Sequence, residues 1–122
     1  MLARHSPLSR RVDRFGIALS GLCLAHCMIG LAAVALFGVA GAAFGDPDWH
    51  RWGLALAVPV GLAAILLGMK HRRRPAPLAV AFAGLVLMAL ALLAPHGPPE
   101  VLLTLLGVSL VAGGHYANLR QP

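Results

Sequence analysis

Charge is what this chain has least of. Asp, Glu, Lys and Arg make up only 11% of its 122 residues, where a soluble domain carries about 25%. With 59% hydrophobic residues, the shortage leaves no room for a separate soluble domain. There is no nucleotide-binding loop, no Ser-His-Asp arrangement and no HExxH zinc motif. Those absences argue against an enzyme and against energy-driven pumping by this chain alone, and no permanent cofactor is expected. Linkers, low-complexity tracts and internal repeats are missing as well. The net charge of +6 raises the question of nucleic acid. The basic residues instead cluster at the ends of apolar runs, so the charge reads as membrane topology and no nucleic-acid partner is expected.

What is present is long apolar sequence. From Phe15 to Gly45 there is no charged residue, which is enough to cross a bilayer with residues to spare. Three further uncharged runs follow, Trp52 to Met69, Pro77 to Pro95 and Val101 to Leu119. The punctuation between them is short, and such loops join only antiparallel neighbours. The expectation is an all-α, integral membrane four-helix bundle of up-down topology, a single domain over residues 1–122 with spans at about 15–43, 52–69, 77–95 and 101–119. Basic residues orient it. Arg4, Arg10, Arg11 and Arg14 precede span 1, Lys70, Arg72, Arg73 and Arg74 lie between spans 2 and 3, and Arg120 follows span 4. Four spans put these nine of the ten basic residues on one face, with Arg51 alone opposite. Both termini are therefore expected in the cytoplasm. Ser9-Arg10-Arg11-Val12-Asp13 bears a passing likeness to a twin-arginine signal. Span 1 is far longer than a signal core of roughly 7–15 residues, so cleavage is not expected.

The only two cysteines lie inside span 1, in Ser20-Gly21-Leu22-Cys23-Leu24-Ala25-His26-Cys27. Residues i and i+4 share a helix face, so the two thiols stack one turn apart with His26 at the edge. Counting from Arg14, Cys23 lies about 13 Å and Cys27 about 20 Å into a ~30 Å hydrocarbon core. A thiol there is inert until a metal takes the place of its proton. Two thiolates a turn apart suit a soft ion, and a linear two-coordinate ion needs no other donor. Zinc would need two more. His26 can supply one, or sit behind the ligands, or accept the displaced protons. A disulfide is disfavoured by the ~6 Å Cα separation of a helical turn. The bland alternative is a pair of small buried hydrophobes.

Other polar groups share the cytoplasmic half. His115 is a weaker candidate for the metal site, with an interhelical hydrogen bond as its plain alternative. Asn118 reads as a packing or capping residue, and Asp13 as a cap or a partner of nearby arginines. Met88 is a soft donor in reach of mid-membrane that more often packs, and Pro59 should kink span 2. Gly16/Ser20, Gly21/Ala25, Gly41/Gly45 and Ser109/Gly113 are small-residue pairs suited to close helix contact. On the outer side, Asp46, Asp48, His50, His96 and Glu100 form a loose rim able to attract cations.

The run Asp13-Arg14-Phe15-Gly16-Ile17-Ala18-Leu19-Ser20-Gly21-Leu22-Cys23-Leu24-Ala25-His26-Cys27 and the last-span ending Gly114-His115-Tyr116-Ala117-Asn118 resemble the MerC-type mercury-transport family. The resemblance implies a multi-pass protein of the bacterial inner membrane that passes Hg(II) toward the cytoplasm by thiol exchange, with Cys23 and Cys27 handling the metal. It implies as partners the lipid bilayer, the soft ion, and a cytoplasmic thiol or mercuric reductase. Related transporters carry a second cysteine pair on the cytoplasmic side, and this chain has none. A proline that often follows the His-Cys is replaced by Met28-Ile29-Gly30. Cu(I) or Zn(II) handling, a membrane thiol/disulfide protein and a structural accessory subunit stay open as alternatives, as does the oligomeric state.

Overall fold

The computed structural model describes residues 7–38, 40–41, 47–70 and 74–121. Four helices account for nearly all of them: α1 (Pro7–Phe37), α2 (Pro47–Lys70), α3 (Pro75–Ala91) and α4 (Pro98–Leu119). Each begins at a proline. A missing N–H costs nothing in a first turn, and φ is already fixed near the helical value. The apolar runs did not reveal this, because α1 starts well before Phe15 and takes Arg10, Arg11, Asp13 and Arg14 into the helix. At 31 residues it spans about 46 Å, longer than a ~30 Å core. It ends at Phe37, short of the expected 43, where Gly38 takes φ +57°, the left-handed cap that glycine adopts without strain.

The helices form an antiparallel up-down bundle in which each packs on its sequence neighbours and α1 also packs on α4. Gly84 of α3 faces Gly107 of α4, and Ala81 faces Gly114. A β-carbon built on Gly84 would sit 2.5 Å from the Gly107 carbonyl oxygen, and one on Gly114 2.6 Å from that of Pro77. This seam therefore holds its spacing only with glycine. The close contacts do not follow the four small pairs read from sequence. Gly16 and Ser20 are buried, whereas Gly21 and Gly113 face open space, and Gly45 lies outside the described residues. Backbone approach is set by what stands opposite, which a single-helix pattern does not contain.

Burial is inverted relative to a soluble bundle. Buried positions of α1 are Ser9, Asp13, Gly16, Ser20, Cys27, Gly30 and Ala33, and half-buried Cys23 completes the alternating four-and-three spacing of a helix seam as far as Gly30. The α4 seam runs Glu100, Thr104, Gly107, Val111, Gly114, Asn118 at the same spacing. Large apolar side chains point outward instead, with Leu22, Leu36, Phe37 and Leu93 between 67 and 83% exposed. Such a surface is stable against lipid and not against water. Two helices, α1 and α4, are long and apolar enough over their described residues to cross a bilayer; the apolar parts of the others are shorter, Arg51–Ala64 and Pro75–Ala91.

Candidate metal centre

Cys23 and Cys27 occupy consecutive positions of the α1 seam. Both are free thiols, Cys27 buried and Cys23 half-buried, and they hydrogen-bond to one another. The spacing alone dictates this, since a turn of helix brings i and i+4 together, while the inward stripe turns both toward the bundle. Cys23 also lines an internal cavity of about 20 Å³ walled by Gly16 and Ser20 of α1, Gly53, Ala57 and Val60 of α2, Met88 of α3, and Val108, Val111 and His115 of α4. That is room for one water-sized occupant. Met88, expected at mid-membrane, is buried here with Val108 and Val111, and Cys23 packs against this cluster.

His26 faces elsewhere. Its ring lies 5.5 Å from that of Trp49 on α2, tilted 41°. Its Nε2 is buried and makes no hydrogen bond. Among the described residues no three His, Cys, Asp or Glu side chains converge closely enough to hold one ion. The donors gathered at this point are thus two thiols, with neither His26 nor His115 completing a tetrahedral set.

His115 belongs to a second polar group that sequence reasoning did not assemble. Its Nδ1 lies 3.0 Å from Asp13 Oδ1, and Asn118 Nδ2 donates to Asp13 Oδ2 at 2.8 Å. All three side chains are at least 98% buried. Asp13 thus sits in the second turn of α1 and bridges to α4, a role beyond the cap or arginine partner expected of it. Gly16 makes the approach possible, because a β-carbon there would meet the His115 ring at 2.5 Å. The signal was available in part: Asp13 shares the cysteine stripe, and His115 and Asn118 lie at matching depth on the final span. The pairing itself spans more than a hundred residues of sequence and leaves no local trace.

The outer rim does not form one cluster among the described residues. Asp48 pairs with Arg51 at 3.1 Å and His96 with Glu100 at 2.9 Å. Asp46 and the side chain of His50 lie outside the described residues. At the opposite end, Arg74 N–H donates to Gln121 Oε1 at 3.1 Å, which brings Arg74 beside Arg120 in one groove.

No curated protein and no solved structure gives a significant match to this chain. A family model does, that of the MerC mercury resistance protein, over residues 13–120. The matched region opens on Asp13 and closes just past Asn118, so it contains the thiol pair and both ends of the buried polar bridge. Together with the lipid-facing exterior, a match over most of the length makes this chain a member of the MerC family of mercury resistance membrane proteins.

Proposed function

We propose that the chain carries Hg(II) across the bacterial inner membrane toward the cytoplasm, held in transit by Cys23 and Cys27, and that it acts as a carrier rather than an enzyme. The observation that supports this most is the thiol pair itself: two free, mutually hydrogen-bonded cysteines on the inward stripe of a membrane helix, in a chain of a mercury resistance family. Two thiolates one turn apart match the linear two-coordination that Hg(II) favours. Among the described residues no third His, Cys, Asp or Glu joins the pair, which weighs against zinc, an ion that wants four donors. It weighs less against Cu(I), which also accepts few soft ligands. The unpartnered His26 Nε2 leaves His26 a supporting part at the outer side of the pair.

Purified protein should bind one Hg(II) per chain with loss of two titratable thiols, and should bind Zn(II) far more weakly. Binding of Zn(II) as tight as that of Hg(II), or retention of both thiols in the mercury-loaded protein, would overturn the reading.

Orientation follows from the charge ends of the bundle. With both termini cytoplasmic, reporter fusions after Arg74 and at the C-terminus should score as cytoplasmic, and a fusion near Asp48 as external. A C-terminus on the outer face would remove the four-span arrangement.

A further inference from the structure

We propose that the thioether of Met88 is a third soft donor beside the thiol pair, and that it fits this site to a soft monovalent cation, Cu(I), held by three sulfurs. The proposal rests on the reading that Cys23 and Cys27 bind a soft ion, and extends that reading from mercury to copper.

Depth puts the three sulfurs at one level. Cys23 and Cys27 lie about 13 and 20 Å along α1 from Arg14, and Met88 lies about 20 Å along α3 from Pro75, which stands at the same end of the bundle. Packing then brings them together. Met88 is 7% exposed and sits with Val108 and Val111, and Cys23 packs against this cluster. Met88 and Cys23 also wall the same internal cavity of about 20 Å³. Gly107 of α4 seats the methionine, because a β-carbon there would stand 2.7 Å from Met88 Cγ, the atom that carries the sulfur. Beyond Cγ the side chain turns about single bonds, so the sulfur adjusts to an occupant of the cavity.

The rest of the wall offers a soft ion little. Among the described residues that line the cavity, Cys23 and Met88 alone carry sulfur. Ser20 brings a hard hydroxyl, and His115 is engaged through Nδ1 with Asp13. The remaining lining is glycine and aliphatic side chain. A leucine would fill the Met88 position as well; what it lacks is a donor toward Cys23.

Charge decides which ion gains from that donor. Hg(II) on two thiolates is neutral and linear, and a third sulfur adds little. Cu(I) is selected by thiolate and thioether together. A third thiolate would bring another negative charge into an apolar interior, at high cost. A thioether adds a bond and no charge.

The ligand exchange balances without redox. Copper enters as Cu(I) on a displaceable ligand. A Cu–S bond forms to each cysteine as its S–H proton passes to the medium, and the Met88 sulfur donates a lone pair with no proton to lose. The delivering ligand departs with its own electron pair, and the metal is Cu(I) before and after.

The test looks for the third donor directly. Protein produced with selenomethionine in place of methionine is purified in detergent and loaded without oxygen with one Cu(I) per chain. X-ray absorption at the copper edge should show sulfur neighbours and one selenium. Met88→Leu, which nearly keeps the side-chain volume, should keep the sulfurs and lose the selenium. Competition titration should give this variant a Cu(I) affinity about a hundredfold lower, the low end of what an added intramolecular bond contributes, with Hg(II) affinity near wild type. Wild-type copper without a selenium neighbour, or a selenium that persists in Met88→Leu, overturns the third donor and leaves the thiol pair standing. An equal fall in affinity for both ions does the same, since it marks Met88 as packing alone. So does a wild-type chain that takes Hg(II) and no Cu(I). The wild-type spectrum decides the matter even where the variant does not fold. A wild-type chain that binds neither ion overturns both readings.

Discussion

Cys23→Ser and Cys27→Ser are each expected to abolish tight Hg(II) binding, with affinity falling on the order of 10²–10⁴-fold, the advantage that a second intramolecular bond gives over a single one. Serine keeps the size of the side chain and the local hydrogen-bonding capacity, so the helix seam should survive. What it removes is the soft donor, and a hydroxyl is a hard, poorly ionised ligand for a soft ion. The two positions should behave alike in affinity because each supplies one of two equal bonds. His26→Ala makes the contrast. With its ring turned to Trp49 and its Nε2 unbonded, that substitution should change affinity by only a few-fold. Isothermal titration with a competing thiol reads all three. Wild-type affinity in both serine variants would remove the metal assignment.

How far this site could be read in advance differs from residue to residue. The thiol pair was legible because it is local: spacing of four, no other cysteine, and an uncharged run around it. The bundle was legible because four apolar runs with short joints leave few arrangements. The helix starts were not, because hydropathy is blind to the proline that lets α1 begin at Pro7 and α4 at Pro98. His26 was read beside the thiols since it is adjacent in sequence, yet adjacency in a helix turns a side chain by about 100°, toward Trp49 in this case. The Asp13–His115–Asn118 bridge joins the first helix to the last. It depends on Gly16 leaving room for an imidazole, and no pattern within either helix encodes a partner on the other. The same holds for the Gly84–Gly107 contact, where each glycine is conspicuous only once the other is opposite.

Release of the ion is expected to require a thiol supplied from the cytoplasmic side. The chain has no second cysteine pair, and His115 and Ser20, the polar groups nearest the site on that side, are weak ligands for a soft ion beside thiolate. Thiol exchange is associative, so an incoming thiolate must reach the bound ion before a protein sulfur lets go, by analogy with attack on a disulfide. An open cleft between the first and last spans would give such a thiolate the shortest route. The structure closes that seam, with the His115 ring against Gly16 and the Asp13 bridge just below it. The other wall is thinner. Val60 lines the cavity and also a groove of about 370 Å³ between α1 and α2, rimmed by Arg11, Val12, Phe15, Pro59 and Ala63. Pro59 removes a helical hydrogen bond in that wall, and Arg11 places a positive charge where an anionic thiol would arrive. In proteoliposomes holding the mercury-loaded protein, release should rise in proportion to thiol concentration on the cytoplasmic face and stay at background without it. Ala63→Trp should slow thiol-driven release several-fold while leaving Hg(II) affinity intact, because Ala63 rims the groove and not the cavity that Cys23 lines. Release that proceeds as fast with no thiol, or that responds only to thiol on the outer face, would show that the ion leaves by another path.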